Sequence, residues 1–140
     1  MYKRILLPYD FGNSFEKVPE QLQKLTDNQK DAEVVVFNII TEGELSNYVR
    51  YQGKHLEDAV AEKENDLIPF KEKLEEIGIN YSTKFKSGNI THELLKEIRE
   101  NDYDIVVMSN KRSKRDIKHV LGHVTHKIAK RVNTPVLIIK

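Results

Sequence analysis

Tyr103 to Ile128 read YDIVVMSNKRSKRDIKHVLGHVTHKI, and the fold follows from how this stretch is parsed. Ile105, Val106, Val107 and Met108 form an apolar run too short for a helix, β-branched in all but its last position and flanked by polar residues. That is a buried strand. From Ser109 to His119 the chain is largely polar and rich in Lys and Arg, and behind Gly122 the apolar residues Leu121, Val124, Ile128 and Val132 recur at helical spacing. A strand, a long loop and a helix result. In an α/β protein the loop leaving a strand's carboxyl end, with a helix amino terminus behind it, is where an anionic ligand sits, because unpaired backbone N–H groups point there.

The stretch resembles the signature of the universal stress protein family, whose nucleotide-binding members carry Gly-x-x-Gly, a spacer, then Gly-Ser or Gly-Thr continued by Val and Ser or Thr. Met108, the preceding strand, the loop length, Leu121, Gly122, Val124 and Thr125 match that pattern. Three positions depart from it: Ser109 and Arg112 stand where the family has its first two glycines, and His123 stands where it has the hydroxyl after the third. The resemblance runs the length of the chain, from the ILLPYDF opening at Ile5 to the TPVLIIK ending at Thr134.

The remaining elements fit the same plan. Lys3 to Tyr9 reads as the first strand, ended by Pro8, with Asp10 just past its carboxyl end. Phe15, Val18, Leu22 and Leu25 recur at helical spacing, with Asn13 or Ser14 as N-cap, and Pro19 either kinks this helix or stands in its first turn. Glu33 to Ile40 reads as the second strand, followed by a polar connection to about Gly53. From Leu56 to Ile77 the apolar steps predict one long amphipathic helix, bent or broken at Pro69 and stopped by Gly78. Ile79 to Lys86 alternates as a strand near a sheet edge. Asn89 or Thr91 caps a helix carrying Ile90, Leu94, Leu95 and Ile98 inward. The fourth strand, Tyr103 to Ser109, precedes the last helix, and Val136 to Ile139 forms the final strand.

Strands alternating with helices imply an α/β fold, a doubly wound parallel sheet covered on both faces. A chain of 140 residues predicts a single domain, residues 1–140. The family resemblance implies five strands in the order 3-2-1-4-5, a Rossmann-like fold of the adenine nucleotide alpha hydrolase type. The strand order then reverses between strands one and four, placing Asp10 and Ser109 on opposite lips of a crevice.

Composition narrows the functional classes. No apolar run approaches the ~20 residues needed to span a bilayer, and Pro8 with Asp10 cuts short the segment behind Lys3 and Arg4 before it forms a signal-peptide core. The absence of cysteine removes thiolate chemistry and agrees with a reducing, cytoplasmic location. From Ser109 onward nine Lys and Arg stand against Asp116 alone, within a formal net charge of +1. A basic region on an otherwise acidic chain favours a local anionic partner. The sequence argues against a nucleic-acid partner, because no aromatic residue lies between Ser109 and Lys140 to stack a base.

The resemblance implies an adenine and ribose site at Pro8, Asp10, Ile39 and Met108, with Ser109 beside it, and a phosphate site at Arg112, Gly122, His123, Val124 and Thr125. Chemistry supports those residue types: Ile39 and Met108 offer apolar and polarizable faces to a purine, and a carboxylate such as Asp10 accepts from ribose hydroxyls. The alternative is that Ile39 and Met108 are core and Asp10 caps the first helix. Losing two glycines removes positive-φ positions from the phosphate loop. Two outcomes stand open: the basic loop side chains replace the lost backbone contacts on ATP with its Mg²⁺, or no nucleotide binds and the chain serves an unidentified protein partner.

Weaker signals exist. His119, His123 and His126 lack a completing carboxylate beyond Asp116, which argues against a metal site. Ser109, His123 and Asp10 have the residue types of a hydrolase, but the Gly-x-Ser-x-Gly, GxxxxGK and GxGxxG patterns are absent. No catalytic residue is assigned, and any ATP hydrolysis would be slow and incidental. The final strand, Val136, Leu137, Ile138 and Ile139, would leave an apolar edge. The resemblance implies that two copies pair through it as a homodimer.

Overall fold

The computed structural model describes residues 2–10, 14–27, 29–109 and 120–140, with side chains from residue 123 onward in the last of these segments. It contains β1 (Arg4–Pro8), α1 (Val18–Thr26), β2 (Glu33–Ile40), α2 (Glu42–Gln52), α3 (Leu56–Asp66), α4 (Ile68–Glu76), β3 (Tyr81–Ser87), α5 (Ile90–Glu100), β4 (Ile105–Ser109), α6 (Val120–Arg131) and β5 (Val136–Ile139). The five strands form one sheet in the order β3-β2-β1-β4-β5, and every pairing is parallel.

Alternation along the strands sorts the core into two layers. On one face Ile5 and Leu7 of β1, Val34 and Val36 of β2, and Ile105 and Val107 of β4 pack with Val18 and Leu22 of α1 and with Leu67, Phe70 and Leu74. On the other face Leu6, Val35, Phe37, Val106 and Met108 pack with Leu94, Leu95 and Ile98 of α5 and with Val124 and Ile128 of α6. Burial on both faces is why β1, β2 and β4 read as continuous apolar runs. β3 lies at the edge and buries less.

Local signals decide three boundaries. Pro19 sits in the first turn of α1, where its missing N–H costs nothing, so that helix is not kinked but starts late, at Val18. Pro69 breaks the predicted long helix: α3 ends at Asp66, Leu67 serves as cap to both segments, and Pro69 falls in the first turn of α4. The polar connection expected up to Gly53 is instead the helix α2, which buries none of its residues. It is started by a capping box, in which the Thr41 hydroxyl accepts from the Glu44 N–H at 3.1 Å while the Glu44 carboxylate accepts from the Thr41 N–H at 3.4 Å. Gly53 ends it in the left-handed conformation.

At the amino-terminal rim a buried carboxylate joins three elements. Glu97 of α5, 5 % exposed, pairs with Lys84 of β3 at 2.8 Å and accepts from the Tyr103 hydroxyl at 2.7 Å. Arg4 lies over the Tyr103 ring, and the Asp104 carboxylate accepts from the backbone N–H groups of Lys3 and Arg4. These contacts secure the rim opposite the strands' carboxyl ends.

Candidate functional site

Parallel register brings the carboxyl ends of β1 and β4 together, since Ile5 pairs with Ile105 and Leu6 with Val106. β1 connects to β2 on one side and β4 lies on the other, so the strand order reverses between them, where doubly wound sheets bind ligands. Asp10 follows β1, and α6 follows β4, at this same rim.

Every predicted site residue except Arg112 has a definite place. Pro8 is buried and Asp10 half-buried. Tyr9 turns to the α1 face, stacked on Phe15 at 4.2 Å and tilted against Phe70 at 5.0 Å, and its N–H donates to the Phe37 carbonyl at 2.8 Å. Burial, helped by the neighbouring Asp10 carboxylate, pushes the Tyr9 hydroxyl pKa up and keeps it neutral. Ile39, at the end of β2, is half-buried against the α5/α6 layer, to which Met108 and Val124 also belong. Met108 is fully enclosed, so its side chain is core. Ser109 is 1 % exposed, and its hydroxyl donates to the Ser14 carbonyl at 2.5 Å, tying the end of β4 to the loop before α1. A serine sealed and engaged in this way is not a nucleophile open to substrate.

Gly122 is the third residue of α6, which begins at Val120, rather than the residue that opens the helix. His123 is exposed, whereas Val124 and Thr125 are buried. The Thr125 hydroxyl has no hydrogen-bond partner among the described residues. Arg112, the other basic side chains of the loop, and the candidate cap Asn13 lie outside the described residues. Among the described residues no group of three or more His, Asp or Glu is placed to hold a metal ion, and no helix is long and apolar enough to cross a membrane.

The structure brings residues that the sequence reading did not assign to the site together with Val124, which it did. A cleft of about 360 Å³ is lined by Thr41, Glu42 and Gly43 at the start of α2, by Gly88, Asn89, Ile90 and Thr91 at the start of α5, and by Val124 of α6. Gly88 adopts φ +138°, and a Cβ there would meet the Glu93 side chain at 3.3 Å, so only glycine lets the chain turn from β3 into α5 along this wall. Asn89 then caps α5, its side chain accepting from the His92 N–H at 3.0 Å. Two signals were available in the sequence: the Thr-x-x-Glu pattern from Thr41 to Glu44, and the Gly-Asn step ahead of an apolar period. The lining mixes apolar surface with hydroxyl, carboxylate and backbone groups. Such a lining offers a small ligand both apolar contact and hydrogen-bonding groups.

Comparison with known proteins accords with this geometry. Universal stress protein MJ0577 from Methanocaldococcus jannaschii is 26 % identical in an alignment covering 100 % of this chain and 96 % of that protein, and its solved structure superposes with a TM-score of 0.77. Universal stress protein YxiE from Bacillus subtilis is 25 % identical, with both chains fully covered. A universal stress protein family protein from Arabidopsis thaliana, solved with AMP bound, shares the fold at a TM-score of 0.64 and 18 % identity, covering 99 % of this chain and 91 % of that one. The model of the universal stress protein family matches residues 1–140, and the chain belongs to that family.

Proposed function

We propose that this protein is a cytoplasmic universal-stress-type module that binds an adenine nucleotide at the carboxyl rim of its sheet and works as a homodimer. The observation that carries the reading is the cleft of about 360 Å³ where β2 and β3 lead into α2 and α5, closed by Val124 of the helix that follows β4, within the ~300–1,000 Å³ usual for small-ligand sites. The similar protein from Arabidopsis thaliana solved with AMP bound supports the choice of ligand. Ile39 and Val124 supply apolar surface to the base, and Asp10 accepts from the ribose. The backbone N–H groups where α6 begins, with Gly122 and Thr125, serve the phosphates. Glu42 on the cleft wall repels phosphate, so the base and ribose take that side. His123 is exposed and contributes charge only when protonated, and Arg112 adds a fixed positive charge. Met108 and Ser109 shape the site from beneath. The same assignment of residues extends to ATP, whose Mg²⁺ would be held largely by the nucleotide's own phosphates.

Equilibrium dialysis with labelled AMP and ATP at low salt tests the reading. Saturable binding is expected, and about 100 Kd of ligand should stabilise the fold by roughly 2.7 kcal/mol in a melting assay. Thr91→Trp, which fills the cleft from its α5 side, is expected to weaken binding at least about tenfold. A wild type that shows neither saturation nor a melting shift would leave the alternative, a protein-interaction module without nucleotide.

Assembly rests on β5. It is the last strand of the sheet, and Ile138 is 38 % exposed there. Pairing of Val136, Leu137, Ile138 and Ile139 with the same strand of a second copy covers the open edge and the apolar side chains together. Sedimentation should give twice the chain mass of 16.3 kDa. Ile138→Lys places a charge in that seam and is expected to give the monomer with the sheet intact by circular dichroism.

A further inference from the structure

Helix α2 supplies one wall of the cleft yet buries none of its residues. Most helical stability comes from packing an apolar face, and an eleven-residue helix lacking one is marginal by itself. Val49 on its outer surface is 51 % exposed. What holds the amino end of α2 is polar. The Glu44 carboxylate divides its two oxygens: Oε1 accepts from the Thr41 N–H and lies 3.3 Å from the Thr41 hydroxyl, while Oε2 meets Lys63 Nζ of α3 at 2.8 Å. The Lys63 side chain is 17 % exposed, far less than the other lysine tying this region to α3. That one, Lys54, pairs with Glu62 at 3.0 Å near the far end of α2, with both side chains at least 40 % exposed.

We infer that Lys63 is a positioning residue: through Glu44 it holds Thr41, Glu42 and Gly43 where the cleft requires them. α3 is anchored to the core through Ala59, fully buried, so a charge on α3 transmits the position of the core to a helix that buries no residue of its own. The partly desolvated pair is screened less than the exposed Lys54–Glu62 pair, and its loss is felt more. The ligand consequence rests on the nucleotide-site reading; the placement of α2 does not.

The test compares Lys63→Met with Lys63→Arg, Lys54→Met and Glu44→Gln. Lys63→Met keeps the aliphatic stem and removes the charge, and Glu44→Gln keeps a capping-box acceptor while weakening the tie to Lys63. Amide hydrogen exchange across residues 42–52 should accelerate in Lys63→Met and Glu44→Gln, stay near wild type in Lys63→Arg and Lys54→Met, and be no faster when Lys63→Met and Glu44→Gln are combined than in either alone. AMP affinity should fall about fivefold in Lys63→Met, the scale on which residues away from a ligand act. Lys63→Arg should restore it to within about twofold. Unchanged exchange of α2 in Lys63→Met overturns the inference whatever AMP does. A wild type that fails to bind AMP, with α2 loosened in Lys63→Met, removes the nucleotide reading and leaves the positioning role standing.

Discussion

Glu97→Ala is expected to lower unfolding free energy by about 3 kcal/mol, read as a shift in denaturant midpoint. Removing one partner of a buried ion pair costs roughly 3–5 kcal/mol. Two features of this site set the position within that scale. Lys84 is 38 % exposed and can turn to water when Glu97 is gone, which moderates the loss. Tyr103 is buried and loses the acceptor of its hydroxyl, which adds a desolvation penalty of about 1–3 kcal/mol. Glu97→Gln keeps an acceptor for Tyr103 and removes only the charge, so it should cost about half as much as alanine. Tyr103→Phe, which deletes the donor instead, should be milder still.

The same cluster gives the fold an alkaline limit. Burial, then the hydrogen bond to Glu97 and that carboxylate's charge, push the Tyr103 hydroxyl pKa well above 10, with Arg4 opposing. Burial and the hydrogen bond to Glu75 raise Tyr81 to about 12. The neutral phenol is therefore the form the fold favours. Its contribution is complete below pH 10 and is lost as pH rises through the raised values. An ultraviolet titration of the six tyrosines should show Tyr9, Tyr81 and Tyr103 ionising late, and unfolding should release them together. In Glu97→Ala the Tyr103 step should move toward lower pH.

Much of this architecture is legible in the sequence, because the parallel sheet writes itself as apolar runs. Glu33 to Ile40 and Val136 to Ile139 marked β2 and β5 at their observed bounds. Pro19 and Pro69 marked helix starts, although only the fold decides whether a proline bends a helix or begins one. α2 escaped notice for a physical reason: amphipathic periodicity is the imprint of packing, and a helix that buries nothing carries little of it. Its cap, Thr41 with Glu44, was a local signal and was readable. At the site, the resemblance put Ile39 and Met108 beside a ligand, but whether a side chain is wall or floor depends on what covers it, and Met108 proves to be floor. The tie from Ser109 to the Ser14 carbonyl spans ninety-five positions of sequence and has no local signature at all.

Phe37→Ala is the substitution in which core and site meet. Phe37 is 1 % exposed and packs in the α5/α6 layer with Leu6, Leu94, Met108 and Val124. Its carbonyl holds the end of β1 through Tyr9, and two residues further along β2 comes Ile39. Truncation to alanine removes a large buried side chain and leaves a cavity, a change that costs about 3–5 kcal/mol. Because the void opens in the core layer that also holds Val124, which lines the cleft, the same variant should bind AMP more weakly under conditions where it remains folded. Phe37→Leu fills most of the space and should recover both properties, with a residual cost of about 1 kcal/mol. Phe70→Ala is the informative counterpart. Phe70 is buried on the opposite face, against Phe15 and Tyr9, so its loss should cost about as much stability while leaving AMP affinity of the folded protein close to wild type. Equal damage to binding from both truncations would mean that affinity tracks global stability rather than the layer of core under the cleft, and the cleft would then lose its claim to be the nucleotide site.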